Sequence, residues 1–230
     1  MKRAASLIFL VCLASAALVA WGQQIWWGAV GYERIIGERG KLTLARLDFD
    51  DMYGEPGGTI ASNLFGDQLP GGSMVYLWNR KTASYDIMSK PSRGGWGSAG
   101  TTRVARGQGF WIRVPSDAAS NVYPVYLMGA VPDRYTAPFT TLPGVSNLNL
   151  LGYPYPAEIK WTNTDLAKKA SADAMLYLWD QSIQMYAIYS RSARSGWEAA
   201  KDVALKPGEG FWFRNTGSID WMEVKPYTWP

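Results

Sequence analysis

Histidine is absent from all 230 residues, and cysteine occurs once, at Cys12. The first absence removes the commonest general base and the commonest metal ligand. Serine, cysteine and zinc hydrolases of the usual kinds are set aside with it. Carboxylate-only chemistry, as in glycoside hydrolysis, passes this test. The cysteine lies in a segment that reads as an export leader. Lys2 and Arg3 form its positive start, Ala4 to Val19 its apolar core, and Ala20-Trp21-Gly22 the small residues of a cleavage site. The apolar core is short for a membrane-spanning helix. Residues 1–22 are therefore expected to be a signal peptide cut after Gly22, with an uncleaved anchor as runner-up. Cys12 follows Phe9-Leu10-Val11 and lacks the small residues that lipid attachment needs. Cleavage would leave no disulfide, no thiol nucleophile and no thiolate metal site.

Charge and long apolar runs are scarce too. The formal net charge of +4 falls by two when Lys2 and Arg3 leave, and no basic patch is dense enough for nucleic acid. After residue 22 no run is long and apolar enough to cross a bilayer. The expected location is secreted, periplasmic or held at a cell surface by contacts alone. Roughly 208 residues remain, enough for one large domain or two small ones, each with a core.

What the chain has in abundance is tryptophan and repetition. Gly107-Gln-Gly-Phe-Trp-Ile-Arg113 returns as Gly208-Glu-Gly-Phe-Trp-Phe-Arg214, 101 residues later. The offset holds without a gap back to Tyr76-Leu-Trp78 and Tyr177-Leu-Trp179, with 15 identities in 38 positions. Chance would supply two or three. The identities are mainly Trp, Tyr, Phe and Gly, the residues that set cores and turns. An internal duplication is the reading, with one unit over 23–131 and a second over 132–230.

The local patterns point to strands. Ser73 to Asn79 is apolar on both faces, as is Ala174 to Asp180, so each should be a central strand covered on both sides. Ser84 to Ser89 and Met185 to Ser190 should close hairpins with them. Lys41 to Phe49 alternates at first and then slips phase, as a bulged or partly exposed strand does; its counterpart is Asn147 to Tyr153. Ile60 to Phe65 and Thr164 to Ala170 read as short helical turns, with Thr164 as N-cap. Ile25 to Val30, Val125 to Pro132 and Ile219 to Pro226 resemble one another, which suggests an edge strand used three times, the junction copy being shared. Glycine-rich turns and little helix give an all-β class: two tandem β-sandwich or barrel-like units.

The repeated motif divides by alternation. Phe110 and Ile112, like Phe211 and Phe213, face a core. Trp111 and Arg113, like Trp212 and Arg214, face the other way. Either the arginine covers a buried indole with its stem, or the pair forms an exposed platform for a sugar face. Trp96 and Trp197, behind glycine in loops, are core plugs or a second set of ligand contacts. These six residues are the candidate ligand-binding set. The Gly-x-Gly has no helix after it, so the dinucleotide reading fails and no cofactor is expected. The run Asp48-Phe-Asp-Asp51 with Glu55 has oxygen ligands for Ca²⁺ but no recognised loop pattern, so a solvated turn and no metal is the reading. No acidic pair recurs in both units, which weakens a carboxylate enzyme.

The spacing Tyr-Leu-Trp, a Tyr nine residues after the first, a Gly-Trp loop and then Gly-x-Gly-Phe-Trp, with Leu64-Phe-Gly-Asp-Gln-Leu-Pro70 before it, resembles β-rich repeat modules of uncharacterised secreted bacterial proteins of the planctomycete–verrucomicrobial type. The resemblance spans nearly the whole mature chain. It implies export and tandem duplication and supplies no catalytic residue. The expected function is non-catalytic extracellular interaction, with a glycan or envelope protein as partner. A structural subunit of an envelope, matrix or filament is the alternative, and a carboxylate-dependent carbohydrate enzyme the second.

Overall fold

The computed structural model describes residues 29–54, 57–133 and 139–228. The leader, Trp26-Trp27, Glu55 and most of the linker to Pro138 lie outside them. The fold is all-β with a few short helices. In the first half, β1 (Val30–Glu38), β2 (Leu42–Arg46), β3 (Thr59–Ile60), helix α1 (Ala61–Phe65), β4 (Met74–Asn79), β5 (Ser84–Ser89), β6 (Arg103–Val104), β7 (Gly109–Arg113) and β8 (Val122–Ala130) follow in order. In the second half come β9 (Phe139–Gly152), β10 (Ile159–Lys160), helix α2 (Asp165–Lys169), β11 (Met175–Asp180), β12 (Met185–Ser190), β13 (Ala204–Leu205) and β14 (Gly210–Val224).

Two antiparallel four-stranded sheets dominate, ordered β2-β7-β4-β5 and β9-β14-β11-β12. Their registers agree: Tyr76 sits opposite Trp111 and Tyr177 opposite Trp212, while Leu44 faces Trp111 and Leu150 faces Trp212. β4 and β11 are interior strands, as their two apolar faces require. Beside each sheet runs a two-stranded ribbon. In the first half it is β1 with β8. In the second half it is the start of β9 with the end of β14, so both strands run on from the sheet through register shifts near Asn215 and Ile219.

The junction strand is not shared. Among the named strands β8 pairs with β1, with a single bridge from Ala130 to Asp50, and Ile219 to Val224 pairs back onto β9. The in–out phase of the similar segments still matches: Val125 and Leu127 point into one core, Ile219 and Trp221 into the other.

Each half has its own core. Phe65, Val75, Leu77, Phe110, Ile112, Val125 and Leu127 lie in the first. Trp161, Leu166, Leu176, Phe211, Phe213 and Trp221 lie in the second. Both helices cover a core with one apolar side. The Thr164 hydroxyl accepts from Ala167 N at 3.1 Å, capping α2, whereas α1 has no side-chain cap. Among the described residues no helix is long and apolar enough to cross a membrane.

β2 explains its own irregular pattern. Thr43, Leu44, Ala45, Arg46 and Leu47 are all buried. One face lies on the first core and the other meets the second half, so no polar face alternates with an apolar one.

Candidate functional site

The Gly-x-Gly turn comes first, because it sets everything around it. Gln108 N bonds Ala105 O at 3.0 Å and Glu209 N bonds Lys206 O at 3.2 Å. Gly107 (φ 77°) and Gly208 (φ 76°) occupy the third position of these turns, where a type II turn needs positive φ. The second glycine has a different task. A Cβ on Gly109 would stand 2.7 Å from Leu151 O, and one on Gly210 2.5 Å from Ala45 O. Side chains there would keep the two halves apart.

The halves therefore touch backbone to backbone. Arg46 N donates to Gly208 O at 3.0 Å, and Gly152 N to Gly107 O at 2.9 Å. Above these bonds lies a third apolar cluster built from both halves: Leu44, Trp111, Leu150 and Trp212, with Tyr76, Trp78, Tyr177 and Trp179 packed on it. Trp78 meets Trp212 edge to face at 5.0 Å, and Trp179 meets Trp111 at 5.0 Å. The Trp78 indole N–H donates to Leu148 O at 3.1 Å, and that of Trp179 to Leu42 O at 3.1 Å. The contacts come in matched pairs, as a local two-fold axis demands.

This geometry corrects the reading of the motif tryptophans as exposed platforms. Trp111 is 4% exposed and Trp212 is 6%. Their outward face on one sheet is the inward face of the junction. Trp96 and Trp197 are also buried, each a plug in its own core. The Trp96 indole N–H donates to Gly66 O at 2.9 Å and that of Trp197 to Ala167 O at 3.0 Å, while their rings pack on Phe65 and Trp161. Arg113 and Arg214 are exposed. Among the described residues their guanidiniums make no hydrogen bond, ion pair or ring contact.

Where the junction opens to solvent it leaves a cleft of about 570 Å³. Tyr76, Tyr85, Trp111 and Arg113 line it from the first half, and Trp179, Gln184 and Tyr186 from the second. Tyr85 and Tyr186 are about 40% exposed. Burial pushes both phenols up, Tyr186 to about 12, against opposing hydrogen bonds from Trp111 and Trp212. Both hydroxyls stay protonated at neutral pH. Gln184 is committed to structure: its side chain accepts from Leu42 N at 3.0 Å and donates to Leu42 O at 3.1 Å, pinning the edge of β2. The cleft thus offers flat aromatic walls, phenolic hydroxyls and one guanidinium, a set suited to the apolar face and the hydroxyls of a sugar. Of the six candidates, Trp111 and Arg113 meet here. Tyr85, Trp179 and Tyr186 were missed as contacts, although Tyr85 and Tyr186 occupy matching places in the repeat.

A second region also escaped the sequence reading. The run from Asp48 is not a solvated turn: Asp48 and Asp51 are buried, and Arg46 is fully so. Arg46 Nε lies 2.5 Å from Asp48 Oδ1, Asp48 Oδ2 accepts from Gly208 N at 2.9 Å, and Arg46 Nη2 donates to Tyr155 O at 3.3 Å. Arg106 Nε pairs with Asp50 at 2.8 Å, its guanidinium lying 5.3 Å from the Tyr155 ring centre. Burial pushes Asp48 up to about 7 and pulls Arg46 down, outweighing their mutual attraction. A cavity of about 400 Å³ opens nearby, lined by Tyr32, Glu33, Phe49 and Tyr227. Glu33 is the carboxylate lining it; Asp48 sits behind, held by Arg46 and Gly208. Among the described residues no group of three or more acidic side chains is set to hold a metal ion. No family model, no curated protein and no solved structure matches the chain.

Proposed function

We propose that the chain is a duplicated β-module, exported by its N-terminal leader, that binds glycan without catalysis in the aromatic cleft at the junction of its halves. The observation that carries this is the cleft itself: Tyr76, Tyr85, Trp179 and Tyr186 present ring surface beside the exposed Arg113. Its phenols, which both donate and accept, and its guanidinium suit hydroxyl recognition. The test is a glycan array probed with the labelled protein and with a Tyr85→Ala/Tyr186→Ala variant. Binding lost in the variant, at unchanged far-UV circular dichroism, supports the reading. An array with no positive glycan, or binding indifferent to the variant, overturns it.

A second reading, assembly into an envelope or matrix, draws on the ribbon. Val30, Tyr32, Tyr126 and Met128 stand exposed on one face of β1–β8, and β5 and β12 end their sheets. Exposed apolar strands of this kind favour association. Light scattering after size exclusion separates the readings: large species without ligand favour assembly, a monomer favours the binder.

A further inference from the structure

Within the cleft, charge is one-sided. Arg113 is the charged residue that lines it, and no carboxylate does. The acids beside lining residues have other partners: Asp86 accepts from the Asn79 amide at 3.2 Å, Asp180 from the Ser182 hydroxyl at 2.5 Å, and Glu38 is held by Lys41 at 2.7 Å and by the Gln181 amide at 2.9 Å. A guanidinium with no protein partner, at the mouth of an aromatic cleft, keeps its fork of donors open for a planar anion. The Tyr85 and Tyr186 hydroxyls add further donors beside it. The second sheet keeps Arg214 at the register position of Arg113, opposite Met175 as Arg113 is opposite Met74. That arginine is also exposed and, among the described residues, its guanidinium has no partner.

We propose that the cleft selects acidic saccharides, uronate-bearing or sulfated, through Arg113, with the aromatic walls taking the pyranose faces. The proposal rests on the glycan reading above and names its ligand class. A saccharide is favoured over an acidic peptide because aromatic side chains, not an open strand edge, form most of the lining.

The experiment is calorimetric titration of the full chain with oligogalacturonate, its fully methyl-esterified form, a heparin-derived oligosaccharide, neutral cello-oligosaccharide and a polyglutamate peptide. Oligogalacturonate or the heparin fragment is expected to bind at least tenfold tighter than the neutral sugars, and the stronger of the two tells carboxylate from sulfate. Raising the salt should narrow that gap. Arg113→Gln, an exposed change checked by circular dichroism, should abolish it. Equal binding of the ester and the acid overturns the charge selection and leaves the glycan site standing. A gap that survives Arg113→Gln and vanishes in Arg214→Gln overturns the placement. Polyglutamate binding as tightly as the acidic sugars overturns the saccharide class. No binding by any saccharide takes down the glycan reading, and this proposal with it.

Discussion

On the aromatic side of the junction the two halves meet through the same residues in exchanged roles. Trp78 packs on Trp212 as Trp179 packs on Trp111, and each donates its indole N–H to the matching leucine of the other half, Leu148 or Leu42. On the other side the symmetry fails at one position. Arg46 ends β2 opposite Gly109, and its counterpart Gly152 ends the matching stretch opposite Gly210. A side chain at Gly152 would run into the stem of Arg46. The first half thus fills space that the second leaves empty, and the buried arginine draws Asp48, Gly208 and Tyr155 around it. Apolar packing tolerates a two-fold arrangement because each ring serves equally on either side. A charge does not: two facing guanidiniums would repel, so one half carries the ion pair and the other makes room.

The largest expected effect comes from breaking both sides together. Gly210→Val puts a side chain against Ala45 O and Gly109→Val one against Leu151 O. Each should destabilise by more than about 4 kcal/mol or prevent folding, and urea denaturation should rank the two alike. A clear inequality would show that the contacts are less symmetric than their distances.

Next is the asymmetric pair. Arg46→Met strands the buried Asp48 carboxyl and should lose about 3–5 kcal/mol, while Arg46→Met/Asp48→Leu should recover most of it. Thermal melts of both variants decide this; a double variant no better than the single would mean that packing of the stem, not charge, is what Arg46 supplies.

The same side sets the pH response. Burial raises Asp48, Glu33 and Glu223 above the ordinary carboxyl range. The folded state therefore holds protons that the unfolded chain releases, and the contribution of these groups to stability is full below about pH 4 and is lost as pH rises through about 7. The melting temperature should be higher at pH 5 than at pH 8, and Asp48→Asn should flatten the slope.

The smallest effect contrasts the two helices. Thr164→Ala removes the cap of α2 and should lose about 1 kcal/mol, measurable by chemical denaturation. Ile60→Ala, at the uncapped start of α1, removes no such bond.

Alternation and spacing alone determined the interior strands β4 and β11, their hairpins with β5 and β12, the helix capped by Thr164 and the core positions of Phe110 and Phe211. These follow from local periods that a dozen residues express. The phase slip after Leu44 was legible too, but not its cause. A strand covered on both faces shows only that something lies over it. What lies there is a partner about 100 residues away in the chain, and no local period records such a contact. Tertiary structure alone therefore decided that Trp111 and Trp212 are buried against the other half rather than standing out as exposed platforms. It also decided that the second glycine of each motif clears a path for a neighbouring backbone, and that an acidic run polar enough for solvent is buried around Arg46.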